Sequence, residues 1–90
     1  MEQSLRTTAG VRRVDVLTPS GLAIESKVGR TSLTSAVRSQ IVKDQLLLQD
    51  GAVTGVQWVF TRSDVTGRVG PTAPLAAALN KAGVPWMIVP

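Results

Sequence analysis

The fold is decided by VRRVDVLTPSGLAIESKV, residues 11–28. Two segments rich in β-branched residues, 11–17 and 22–28, flank Thr18-Pro19-Ser20-Gly21, with proline and glycine where a turn wants them. A three-residue loop, Pro19 to Gly21, suits a type I turn followed by a left-handed glycine. That loop fixes the register. With Thr18 opposite Leu22, Asp15 lies directly across from Glu25 and Arg13 across from Lys27. Side chains alternate along a strand, so Glu25 and Lys27 share a face, and Asp15 joins them on it. A two-residue loop would break this convergence by sending one strand's set to the other face.

Downstream of the hairpin, RTSLTSAVRSQIVKDQLLLQDG reads as a helix from about Ser32 to Gln49, with Thr31 or Ser32 as N-cap and Asp50-Gly51 as the stop. Its buried stripe is expected to be Leu33, Val37, Ile41 and Leu48, helped by Ala36 and Leu47. Gln40 and Lys43 flank that stripe along one edge, where they can reach towards the sheet or simply meet solvent.

AVTGVQWVF, residues 52–60, is apolar on both alternating sets, the pattern of a central strand covered on two faces. Residues 73–82 form a short helix capped by Thr72, with Pro74 in its first turn and Gly83 just beyond its end. Leu75, Ala78, Leu79 and Ala82 make its apolar stripe. VPWMIVP then reads as a buried closing strand. A strand, helix, strand crossover makes the last two strands parallel. Residues 1–10 lack apolar periodicity and read as a flexible or weakly helical lead to a single domain over 11–90. The expected architecture is α/β, a β-hairpin followed by α-β-α-β, with a mixed sheet flanked by helices.

Composition narrows the chemistry. The 90 residues hold no Cys, His or Tyr, which excludes disulfides, Cys/His zinc sites and histidine-assisted nucleophiles. Proton transfer or metal binding must rest on six carboxylates, Glu2, Asp15, Glu25, Asp44, Asp50 and Asp64. The net charge of +4 favours a polyanionic partner such as nucleic acid. No apolar run approaches the roughly 20 residues needed to span a bilayer, so no membrane partner is expected.

Two carboxylates facing each other across a hairpin repel, and a divalent cation relieves that repulsion. Mg²⁺ takes oxygen ligands and is commonly held by one or two carboxylates with substrate phosphate oxygens completing its shell. Lys27 would stand where an attacking water or a phosphate oxygen needs a positive neighbour. The plainer alternative is that Glu25 pairs diagonally with Arg13 on a solvated strand face. Trp58 and Trp86, both in apolar strands, read as core or core-edge residues rather than base-stacking platforms. Arg62 and Arg68, in a glycine-bearing loop, read as solvated charge or phosphate contacts, and VTGRVGPT lacks the Gly-Lys-Ser/Thr ending of a P-loop.

The order Asp15, then Glu25-x-Lys27 on the next hairpin strand, then a helix bearing Gln40 and Lys43, resembles the core of the PD-(D/E)XK nuclease superfamily, the restriction-endonuclease-like fold. ESKVGRTSLT, SQIVKD, WVF, TGRVGPTAPL and AGVPWMIVP are similar, more narrowly, to the toxin domains of that fold at the C-terminal tips of large secreted bacterial proteins, the polymorphic and contact-dependent inhibition toxins. The resemblance covers residues 11–90, with Val14 standing where the superfamily's proline is found. It implies that Asp15 and Glu25 are ligands of Mg²⁺ or Mn²⁺, that Lys27 is the catalytic lysine, and that Gln40 and Lys43 are an auxiliary pair. It also implies a DNA or RNA substrate, tRNA included, action in the cytoplasm of a target bacterium after secretion within a larger toxin, and a cognate immunity protein of acidic character. The superfamily often carries an acidic residue on a helix before the hairpin, for which Glu2 is the available candidate. A non-catalytic nucleic-acid-binding or interaction module on the same fold is the alternative.

Overall fold

The computed structural model describes residues 3–89. It is a small α/β domain whose main sheet is mixed. In chain order the elements are β1 (Gln3–Thr7), β2 (Gly10–Val14), β3 (Val16–Leu17), β4 (Leu22–Val28), β5 (Arg30–Thr31), α1 (Ser35–Gln49), β6 (Gly55–Thr61), β7 (Gly70–Pro71), α2 (Ala73–Ala82) and β8 (Trp86–Val89). The main sheet runs β3-β4-β6-β8, with β3 antiparallel to β4 and the two remaining pairs parallel. Two-stranded ribbons, β1-β2 antiparallel and β5-β7 parallel, stand beside it.

The hairpin turn forms as its sequence demands. Thr18 N–H donates to Leu22 O at 2.9 Å, Gly21 takes φ +91°, and Val16 and Leu17 pair with Ile24 and Ala23 in the expected register. Above that register the chain departs from a simple hairpin. Arg13 pairs with Ser4 on β1 rather than lying across from Lys27, because the strand bends at Asp15 and its upper half is taken by the first ribbon. Arg12 and Val14 are buried on β2, and Leu17 packs inward on β3, so the side-chain alternation shifts by one residue at the bend. Such a shift, the signature of an irregular strand position, lets Asp15 stay beside Glu25.

Residues 3–7 correct the expected lead: they form a strand closed onto β2 by a tight turn in which Thr7 Oγ1 donates to Gly10 O at 2.6 Å. α1 begins at Ser35, three residues later than expected. Arg30 and Thr31 are drawn into pairing with Gly70 and Pro71, so Thr34 becomes the N-cap and its Oγ1 accepts from Val37 N–H at 3.1 Å. The helix stops at Asp50 and Gly51 as expected. β6 starts at Gly55 rather than Ala52, because the intervening residues return from the helix, with Thr54 N–H bonded to Gly21 O at 2.9 Å. α2 has the expected bounds, with Gly83 left-handed at its end and Thr72 at the N-cap position but making no side-chain cap bond, and β8 is parallel to β6 as expected.

Both helices pack on each other and on one face of the sheet, burying Ala23, Val56, Trp58 and Phe60 against Val37, Ile41, Leu47, Leu75 and Leu79. Burial of this apolar set is the main stabilising term. Leu33 and Leu48 are only partly buried and Ala36 is exposed; the place on the stripe between Ile41 and Leu47 belongs to Asp44. On the sheet's other face Gln57 and Val59 are only partly buried, and among the described residues both helices pack on the side of Val56, Trp58 and Phe60, so β6 is central but fully covered on one side. β8 is an edge strand, with Met87 and Ile88 exposed, rather than a buried one.

Candidate active site

Asp15, Glu25, Gln40 and Lys43 line one open pocket of about 630 Å³ with Arg12 and Arg13. β4 supplies Glu25 and Lys27, two residues apart and therefore on the helix-facing side. α1 supplies Gln40 and Lys43, three residues apart and so on one side of the helix. Asp15 comes from the bend. Its Oδ2 accepts from Ser26 N–H at 2.8 Å, so the carboxylate takes up a backbone donor that the shortened β3 does not reach.

Lys27 is held from three sides. Its Nζ donates to Gln40 Oε1 at 2.9 Å, lies 3.1 Å from Glu25 Oε2 and sits over the Trp58 ring, 5.4 Å from its centroid. Charge-assisted bonds and a cation–π contact together restrict a side chain that is otherwise among the most flexible. Lys43 reaches the same pocket beside the β1-β2 turn: a Cβ on Gly10 would lie 3.6 Å from its Nζ. Four of the five residues expected from sequence thus line one opening, and the fifth, Lys27, is joined to it through Glu25 and Gln40.

Glu25 is 6% exposed and Arg12 is 3% exposed. Burial pushes the Glu25 carboxyl above its ordinary pKa, against the opposing pull of Arg12 and Lys27, and a hydrogen bond with Asp15 adds to the rise. Arg12 Nη2 approaches Glu25 Oε2 at 3.4 Å, while its Nε donates to Asp44 Oδ1 at 2.9 Å. Another guanidinium nitrogen donates to the Arg13 carbonyl. Asp44 is completely buried and its Oδ2 accepts from the Trp58 indole N–H at 2.9 Å.

Arg12 and Asp44 were not among the residues expected at the site, and both leave a trace in the sequence. Asp44 stands three residues from both Ile41 and Leu47, on the apolar stripe itself, where an unpaired carboxylate could not remain. Arg12 shares its alternating set with Val14. Trp58 is a core residue as expected, with a polar end that serves the site. Glu2 lies outside the described residues.

The donor set suits a small divalent ion. Asp15 and Glu25 are the carboxylates on the pocket wall, with Arg12, Arg13 and Lys43 beside them, while Asp44 is sealed behind Arg12 and Lys27 lies against Glu25. Among the described residues no group of three or more Asp, Glu, His or Cys side chains is placed to hold a metal ion, so the pocket offers the pair Asp15 and Glu25. One or two carboxylates are the usual protein share for Mg²⁺, with water and phosphate oxygens supplying the rest.

No helix among the described residues is long and apolar enough to cross a membrane. No family model, no curated protein and no solved structure matches the chain.

Proposed function

We propose that this domain is a metal-dependent nuclease that hydrolyses phosphodiester bonds of DNA or RNA, tRNA included, on a restriction-endonuclease-like fold. The observation that carries the reading is the meeting of Asp15 and Glu25 at an open pocket, with Lys27 3.1 Å from Glu25 and held from α1 by Gln40. Mg²⁺ or Mn²⁺ held by Asp15 and Glu25 would polarise a phosphoryl oxygen and lower the pKa of bound water. Lys27 would steady the negative charge that grows on the phosphoryl group as water attacks phosphorus and the leaving oxygen departs. Gln40 keeps the ammonium in place without competing for its charge. Arg13 and Lys43, on the pocket wall, would draw in the phosphate backbone irrespective of sequence.

Resemblance of residues 11–90 to secreted bacterial toxin domains supports a role as the toxin module of a larger protein. An acidic immunity partner covering the basic pocket would then neutralise it.

One observation favours a second reading, a non-catalytic nucleic-acid-binding module. Glu25 already has Lys27 at 3.1 Å and Arg12 at 3.4 Å, so its charge is partly met without a metal. Purified chain incubated with plasmid and with total tRNA, in Mg²⁺ and in EDTA, separates the two. Metal-dependent cleavage of either substrate supports the nuclease; retention of nucleic acid in EDTA with no cleavage in Mg²⁺ supports the binder.

A further inference from the structure

The polar groups behind the pocket form a closed ring. Trp58 Nε1 donates to Asp44 Oδ2 at 2.9 Å; Asp44 Oδ1 accepts from Arg12 Nε at 2.9 Å; Arg12 Nη2 approaches Glu25 Oε2 at 3.4 Å. Glu25 Oε2 meets Lys27 Nζ at 3.1 Å, and Lys27 returns to Trp58 by lying over its ring. Asp44 lies at the sealed side of this ring and Lys27, with a side chain 19% exposed, at its open side.

The geometry points to Arg12 as the positioning residue of the site: braced by Asp44, it sets the orientation of the Glu25 carboxylate. This inference rests on the nuclease reading for its catalytic consequence. Arg12 borders the pocket but is only 3% exposed, and its guanidinium nitrogens are taken up by Asp44, Glu25 and the Arg13 carbonyl, which leaves it a part in holding Glu25 rather than in gripping a polynucleotide. Its guanidinium is planar, and a fork engaged with Asp44 through two nitrogens, at 2.9 and 3.4 Å, has little freedom left. The nitrogen that reaches Glu25 is therefore aimed by Asp44. Asp44 in turn is fixed by α1 and by the Trp58 indole.

The same helix thus controls both ends of the site. α1 holds the carboxylate through Asp44 and Arg12, and the amine through Gln40. A lysine at position 12 would keep the charge but lose the fork, and could not serve Asp44 and Glu25 with the same geometry.

The chain contains glutamate at only two positions, 2 and 25, so a glutamate-selective ¹³C label gives two carboxyl resonances, one of them Glu25. The 90-residue wild type, Asp44→Asn and Arg12→Lys would be compared by that resonance and by Mg²⁺-dependent cleavage kinetics per folded molecule. Both variants should move the Glu25 signal, which is told from that of Glu2 by its loss in Glu25→Gln. Both should lower kcat by about 10- to 100-fold with KM changed less than about twofold, as expected when a reacting geometry is loosened by a fraction of an ångström. An unmoved Glu25 resonance, or an undiminished kcat per folded molecule, overturns the assignment. If the wild type does not cleave nucleic acid, the nuclease reading falls on its own, and the Glu25 resonance still decides whether Arg12 sets that carboxylate. Because the two substitutions remove different members of the ring, either one that folds is sufficient for the test.

Discussion

Asp44 Oδ1 accepts a hydrogen bond from Arg12 Nε at 2.9 Å, and the pair joins the middle of α1 to the first ribbon with the carboxylate wholly sealed from water. Stability and site geometry therefore share one interaction. Removing half of it strands a buried charge, and such a loss typically amounts to about 3–5 kcal/mol. Asp44→Ala should accordingly lower the free energy of unfolding by about that much in urea titrations. A midpoint equal to that of the wild type would show that the pair contributes no net stability.

Glu25 responds differently. Burial raises its pKa in the folded protein, so the native state holds the proton more tightly than the unfolded chain. Its contribution therefore favours folding below the unfolded carboxyl pKa and is lost as pH rises through the higher folded value. Glu25→Gln, which cannot ionise, should gain stability relative to wild type as pH is raised across that window. At neutral pH it should cost no more than about 1 kcal/mol, well short of the Asp44 loss. Urea unfolding at several pH values from acid to neutral measures the difference; a wild type that gains on Glu25→Gln with rising pH contradicts it.

Lys27 and Gln40 should separate by degree. On the nuclease reading, Lys27→Ala should leave a folded domain whose cleavage falls by at least about 10²-fold, because the charge proposed to steady the phosphoryl group is gone. Gln40→Ala removes only the 2.9 Å bond that holds the ammonium, and should lower cleavage by roughly tenfold, an effect on orientation rather than charge. Rate assays on both, with circular dichroism as the control for folding, test the order. Equal losses would make Gln40 more than a support.

The turn that sets the register is testable separately. Gly21 has φ +91°, and a Cβ there would meet Thr54 Cγ2 at 3.1 Å. Gly21→Ala should destabilise the domain by about 1–2 kcal/mol, the approximate cost of forcing an L-residue into that region. Thermal unfolding reads the loss, and an unchanged Tm would mean that the turn relaxes without strain.

The legible parts of this chain are those whose determinants are local. Pro19, Ser20 and Gly21 fix a loop length, and the loop length fixes which residues face each other, so the meeting of Asp15, Glu25 and Lys27 could be read from eighteen positions of sequence. Thr72, Pro74 and Gly83 likewise delimit α2 by backbone chemistry alone. The missed features depend on distant partners. Gln3–Thr7 has little apolar alternation and becomes a strand because β2 offers it a ladder. Trp86–Val89 is apolar, yet lies at the sheet edge because among the described residues no further strand joins it. Asp44 lies on an apolar stripe, and its reason for being there, Arg12, is 32 residues away in sequence.

The most direct test of the central claim is cleavage of supercoiled plasmid and of tRNA by wild type and by Asp15→Asn, each titrated with Mg²⁺ after removal of metal. The account predicts cleavage of at least one substrate that rises from nothing with Mg²⁺ in the wild type, and a folded Asp15→Asn variant that stays inactive across the titration. Cleavage by the wild type in EDTA, or equal cleavage by the variant, would contradict it.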